Sequence, residues 1–99
     1  MASFKRKAVT ASQSGETCYT TPTGKVGLSI GMLAANKVEQ IEYISVDING
    51  VFIIKNAPVP PGSTLSVLDG KLAIESEEVL TVTASADSSI DFTATILEL

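Results

Sequence analysis

The sequence predicts an all-β protein: an antiparallel β-sandwich or jelly roll, with about eight or nine strands and no significant helix. Three observations lead there. Apolar residues recur with a period of two, most plainly Ile90, Phe92, Ala94 and Ile96 against Asp91, Thr93 and Thr95, which is the spacing of a strand and not of a helix. Two tight-turn dipeptides, Asn49-Gly50 and Asp69-Gly70, sit between apolar runs and mark hairpins. Short runs separated by turn residues recur along the chain, as in proteins that pack two sheets face to face.

Residues 1–10 read as an N-terminal arm or edge strand, and residues 11–99 as a single sandwich domain. Phe4 to Thr10 carries the extended character, and Ala11 to Glu16 (ASQSGE) is a polar connector. Thr17 to Thr21 is a short strand that stops at Pro22-Thr23-Gly24, where Pro pre-sets φ and Gly accepts a positive one. Beyond that turn Val26, Leu28, Ile30, Met32 and Ala34 share one face of a long strand. Lys25, Gly27, Ser29 and Gly31 share the other, read as a solvated face that tolerates glycine.

Asn36 to Glu39 is a polar connector to the next strand, Gln40 to Ile48. Asn49-Gly50 then turns the chain, because a type I′ turn needs positive φ at both central residues. The return strand, Val51 to Lys55, has apolar residues on both faces and reads as a central strand covered on both sides. Asn56 to Gly62 (NAPVPPG) holds three prolines, so it is expected to be an extended crossover and not an interior strand. Ser63 to Leu68 and Lys71 to Glu75 are expected to pair as a hairpin around Asp69-Gly70. Glu75 to Glu78 (ESEE) is an acidic corner. The closing strands are Val79 to Ser85 and Ser89 to Leu97, flanking Ala86-Asp87-Ser88.

Composition narrows the chemistry. The chain of 99 residues has no histidine, which removes the commonest general base and metal ligand and with them Ser-His-Asp and Cys-His arrangements. No catalytic residue, cofactor site or metal site is predicted. The ESEE corner does not match an EF-hand and is a solvated loop. One cysteine, Cys18, allows no intrachain disulfide and reads as a buried, apolar-like thiol. Without Trp, and with five aromatics claimed mostly by the core, a glycan platform is disfavoured; Tyr19 and Tyr43 are expected half-buried with bonded hydroxyls. The net charge of −4 opposes free nucleic acid as a partner. No apolar run reaches the length of a membrane span, and MASFKRKAV is not followed by the apolar stretch of a secretory signal, so synthesis in a cytoplasm is expected.

Three blocks carry a resemblance: CYTTPTGKVGLSIGMLAAN, GVFIIKNAPVPPGSTLSVLDGKLAIESEEVLTVTAS and DFTATILEL. They resemble a family of small virion structural proteins of tailed phages, cyanophages included. The shared elements are a Tyr-Thr-x-Pro-x-Gly-Lys turn at Tyr19 to Lys25 and an Ala-Pro-Val-Pro-x-Gly-x-x-Leu crossover at Ala57 to Leu65. A Gly-Lys-Leu-x-Ile-Glu element follows at Gly70 to Glu75. Thr21 replaces the usual apolar residue of the first motif. The resemblance implies a virion component with no catalytic residues, and the leading expectation is a capsid decoration (cement) protein that binds and bridges major capsid subunits. The alternatives are a neck or tail adaptor, a tail-fibre-associated protein, or a host receptor- or glycan-binding module. The expected partners are a second copy, as a homo-oligomer and preferably a trimer, and the major capsid or another virion protein, with no free nucleic acid and no membrane. Partner binding is placed on Phe4, Lys5, Arg6, Lys7 and Val9, suited to strand addition at a neighbour's sheet edge.

Overall fold

The computed structural model describes residues 3–68 and 70–99. Among them are nine strands and no helix: β1 (Ser3–Thr10), β2 (Glu16–Thr20), β3 (Gly27–Asn36), β4 (Glu42–Ile48), β5 (Val51–Val59), β6 (Thr64–Ser66), β7 (Leu72–Ile74), β8 (Val79–Ala84) and β9 (Ile90–Glu98). They make two antiparallel sheets. One has the order β1-β9-β3-β6, with β7 also on β3, and the other β2-β8-β4-β5. No helix of the described residues is long and apolar enough to cross a membrane.

The sandwich closes as the alternation predicts. Ile90, Phe92, Ala94 and Ile96 of β9 are fully buried, and Met32, Ala34, Ile44, Val46, Leu80 and Val82 meet them from both sheets. Around Asn49-Gly50 the chain turns with φ of 49° and 84°, bringing Val51 opposite Ile48 in a two-residue hairpin. Each central residue has the positive φ that a type I′ turn demands. Asp47 Oδ2 accepts a 2.9 Å bond from Gly50 N, and Asn49 Oδ1 one of 2.8 Å from Val79 N, so the turn is tied to β8 as well.

The second expected hairpin does not form. Thr64, Leu65 and Ser66 oppose Ala35, Ala34 and Leu33, while Leu72, Ala73 and Ile74 oppose Ser29, Leu28 and Gly27. Both segments therefore run antiparallel to β3, and so in the same direction as each other. A hairpin needs the reverse. They are two pieces of one edge strand that leaves β3 after Val67 N bonds Met32 O at 2.9 Å and returns at Leu72. Of the predicted turn, Asp69 lies outside the described residues and Gly70 has φ of 103°. Counted as one strand, the two pieces leave eight in two sheets of four: first, eighth, third, sixth, and second, seventh, fourth, fifth. That order is a jelly roll.

Two strands differ from their expected faces. In β3 the register to β9 shifts between Ser29 and Gly31, a bulge that reverses the side to which each residue points. Met32 and Ala34 are inside as expected, but Val26 and Ile30 are outside, and Gly27 and Ser29 are buried. Gly27 is not at a solvated face: a Cβ there would lie 2.8 Å from Tyr19 Cε2. β5 is the edge of its sheet, not a covered centre, with Val51 and Phe52 exposed. It also continues through Ala57, Pro58 and Val59, which pair with Ile44, Tyr43 and Glu42. Proline is tolerated there because an edge strand has a side that donates to nothing. The crossover to β6 is only Pro60 to Ser63, held by Asn36: its N bonds Ser63 O at 2.9 Å and its Nδ2 bonds Val59 O at 2.9 Å.

Candidate assembly surface

β1 holds all five predicted partner-binding residues. Its eight residues pair with β9 without a register shift, from Ser3 opposite Glu98 to Thr10 opposite Asp91. Directly opposed residues point the same way, so the neighbours on β9 assign the faces. Phe4 and Arg6, opposite Leu97 and Thr95, stand on the outer face; Lys5, Lys7 and Val9, opposite Ile96, Ala94 and Phe92, point to the core side. The five do not act together. Val9 packs against the core, and Lys5 Nζ reaches Glu98 Oε1 at 3.2 Å. Phe4 is left 70% exposed.

The other edges are blunted in the ways that discourage strand addition. β2 is five residues long with a register shift between Thr17 and Tyr19. β5 has two shifts, Asn56 at φ of 51°, and Pro58. The β6–β7 edge is interrupted. β1 is the regular edge among the described residues, and its protection is charge, from Lys5, Arg6 and Lys7.

On the opposite side of the sandwich, the edges of β5 and β7 border a groove of about 390 Å³. Its walls are Ile48, Val51, Phe52, Ile53 and Leu72, with Glu78 as the polar member. Val51 is 73% exposed and Phe52 48%, and Lys55 Nζ lies 4.9 Å from the Phe52 ring centre. Glu78 belongs to the acidic corner with Glu75 and Glu77; its Oε1 accepts a 2.8 Å bond from Glu75 N. The corner is locked to Thr21, the residue that follows β2, by paired bonds with residues 77 and 78, 3.0 Å and 3.1 Å. Thr21 is buried, its hydroxyl donating to Ile74 O at 3.0 Å. A shallower depression of about 280 Å³ is lined by Tyr43, Asn56 and Ser85.

The alternation of β9 runs one step further than expected and carries Glu98 inward. Tyr19, almost fully buried, donates its hydroxyl to Glu98 Oε2 at 2.6 Å. This bond, with Lys5 second, holds the Glu98 carboxyl below its ordinary range. Burial and the same carboxylate push the Tyr19 hydroxyl up to about 12. The triad ties both end strands to β2. Continuing the period of two from Ile96 would have located it; the charge argued against doing so. Cys18, at the β2 irregularity, directs its thiol to Lys7 O at 3.7 Å, and burial raises it to about 11. At neutral pH it is a thiol and a poor nucleophile. Tyr43, by contrast, is 44% exposed. Among the described residues no three of Asp, Glu and Cys gather as a metal site.

No family model matches the chain, and no curated protein matches it. Among solved structures it is similar to a chain of the Bacillus endospore appendages that form a novel family of disulfide-linked pili. The likeness covers 99% of this chain and 85% of that one, at 13% identity and a TM-score of 0.57. What the two chains share is the fold.

Proposed function

We propose that this chain is a non-enzymatic structural subunit that works by binding other protein chains in a multi-copy assembly. The finer reading is a phage capsid decoration protein that bridges major capsid subunits. One observation carries the proposal: large apolar side chains are held in water on paired strands, Phe4 and Val51 foremost, with Leu33 and Phe52 half out. Folding alone does not reward that placement, and contact with a neighbour does. The resemblance of the Tyr19–Lys25, Ala57–Leu65 and Gly70–Glu75 elements to virion proteins supports the finer reading. Repetition then matters more than strength, since a subunit touching two or three neighbours gains avidity from modest contacts.

The pilus likeness favours a second reading, self-assembly into a filament. Here Cys18 is the one cysteine and its thiol is half-buried, so a filament of this chain would be held by non-covalent contacts. The experiment adds labelled protein to purified particles and counts copies by quantitative mass spectrometry. Decoration gives copies in the hundreds, whereas a neck or tail adaptor gives about 6 or 12, as ring symmetry requires. Saturable binding to host cells with none to particles would sink the proposal in favour of a receptor module.

A further inference from the structure

We infer that β1 of one copy docks on a second copy, with Phe4 entering the groove between β5 and β7 and Arg6 meeting Glu78 at its rim. This rests on the multi-copy reading above and names its contact. Phe4 and Arg6 are two residues apart on the outer face of one strand, about 7 Å from each other along it. The groove offers the complementary pair: apolar walls from Val51, Phe52, Ile53 and Leu72, and one carboxylate, Glu78, which accepts from Glu75 N and follows Glu77 in the sequence. Charge decides the partner. Lys5, Arg6 and Lys7 are three of the seven cations in a chain of net charge −4, and the ESEE corner concentrates its acids.

Geometry requires the two halves to come from different molecules. β1 and β7 lie at opposite ends of the order β1-β9-β3-β7, three strand spacings or about 14 Å apart, and Phe4 faces outward. The obvious alternative, two copies pairing β1 with β1 across a two-fold axis, sets cation against cation. Centred antiparallel registers that keep like faces together oppose Arg6 to Arg6 with Lys5 to Lys7, Lys5 to Lys5, or Lys7 to Lys7, and like charges directly opposed destabilise a ladder. A contact between two different patches is heterologous, so it closes as a ring, a trimer included, or grows as a chain.

The test uses two variants of the full chain, each altered at an exposed position. Phe4→Ser removes the plug and keeps the groove; Val51→Asp spoils the groove and keeps the plug. Both should melt like wild type by circular dichroism. In sedimentation velocity each variant alone should associate at least about tenfold more weakly than wild type, the scale of losing one buried phenyl ring. Mixed in equal amounts they should form one-to-one heterodimers and nothing longer, because one plug and one groove survive. Raising salt from 0.1 to 1 M, which cuts the screening length from about 10 to 3 Å, should weaken the heterodimer. A mixture that stays monomeric overturns the contact, as does association unchanged by either substitution. If such a chain still loads particles, the multi-copy reading stands without this contact. Wild type that stays monomeric to about 1 mM, weaker than any specific interface of standard size, overturns the contact, and failure to load particles as well removes both.

Discussion

Replacing Gly27 by alanine tests the packing of Tyr19 at the end of the core. A methyl at that position lies 2.8 Å from Tyr19 Cε2, 3.0 Å from its hydroxyl and 3.3 Å from Ile96 Cγ2. The β3 backbone cannot retreat, since β9 and β7 pair with Gly27 from both sides. The ring must therefore move. Overpacking of this kind costs about 1–3 kcal/mol, and pulling the hydroxyl off the Glu98 carboxylate adds about 1.5–3 kcal/mol where the bond is wholly lost. With the bond partly kept, the net is about 2–4 kcal/mol, a fall in Tm of roughly 10–25 °C for a domain of this size. Urea denaturation and thermal melts measure it. Gly31→Ala is the control on the same strand: its Cβ would meet nothing within 4 Å, and a change within about 0.5 kcal/mol is expected. Absorbance titration of the tyrosines adds a local readout, since the Tyr19 ionisation near 12 should move toward its ordinary value of 10 in Gly27→Ala. A variant as stable as Gly31→Ala, with the Tyr19 titration unmoved, would refute the packing argument.

Stability should be flat between about pH 5 and pH 9 and fall on both sides. On the acid side Glu98, Glu42 and Asp91 are held below their ordinary values, chiefly by bonds from Tyr19, Ser85 and Thr10, so their contribution is present above those values and lost as pH falls through the lowered ones. On the alkaline side Cys18 and Tyr19 are raised to about 11 and about 12, mainly by burial, so theirs is complete below 9 and 10 and lost as pH climbs through 11 and 12; melts across pH 2–12 check both limbs. Gly50→Ala forces a side chain to φ of 84° and should cost about 1–2 kcal/mol in urea unfolding. Phe92→Ala empties the most voluminous fully buried site and should cost about 3–5 kcal/mol, read as a lower urea midpoint at unchanged slope.

What could be read from the sequence was whatever a single strand decides for itself. The faces of β9 and the Asn49-Gly50 turn depend on local alternation and local φ, and both stand as expected. β3 is different. Its bulge between Ser29 and Gly31 inserts one residue relative to β9, and the sequence shows no mark of it beyond the glycine. Val26, Leu28 and Ile30 then look like core and are not. Val51 to Ile54 read as doubly covered because both faces are apolar; at a sheet edge the same pattern instead leaves an apolar groove. The β6–β7 pairing depends on which edge of β3 is free, a long-range fact that no dipeptide encodes. Of the assembly surface, Phe4 and the basic triplet were legible as composition. Their division between two faces needed the register to β9.

The strand order sets a condition on how this protein can be made. β9, the last strand in sequence, sits between β1 and β3, and β8 sits between β2 and β4. A nascent chain that has reached Glu78 holds β3 and β4 with the edges they pair, but lacks the strand in each sheet that joins them to β1 or β2. β1 has no partner, β2 has none, and only the β4–β5 hairpin and the β6–β7 edge on β3 can pair. Pairing of β1 and β2 must wait until β8 and β9, Val79–Ala84 and Ile90–Glu98, have left the ribosome, at roughly 5–20 residues per second. Until then the apolar faces of the outer strands stay unsealed, and a chain that stops before β9 leaves β1 with no strand to pair with.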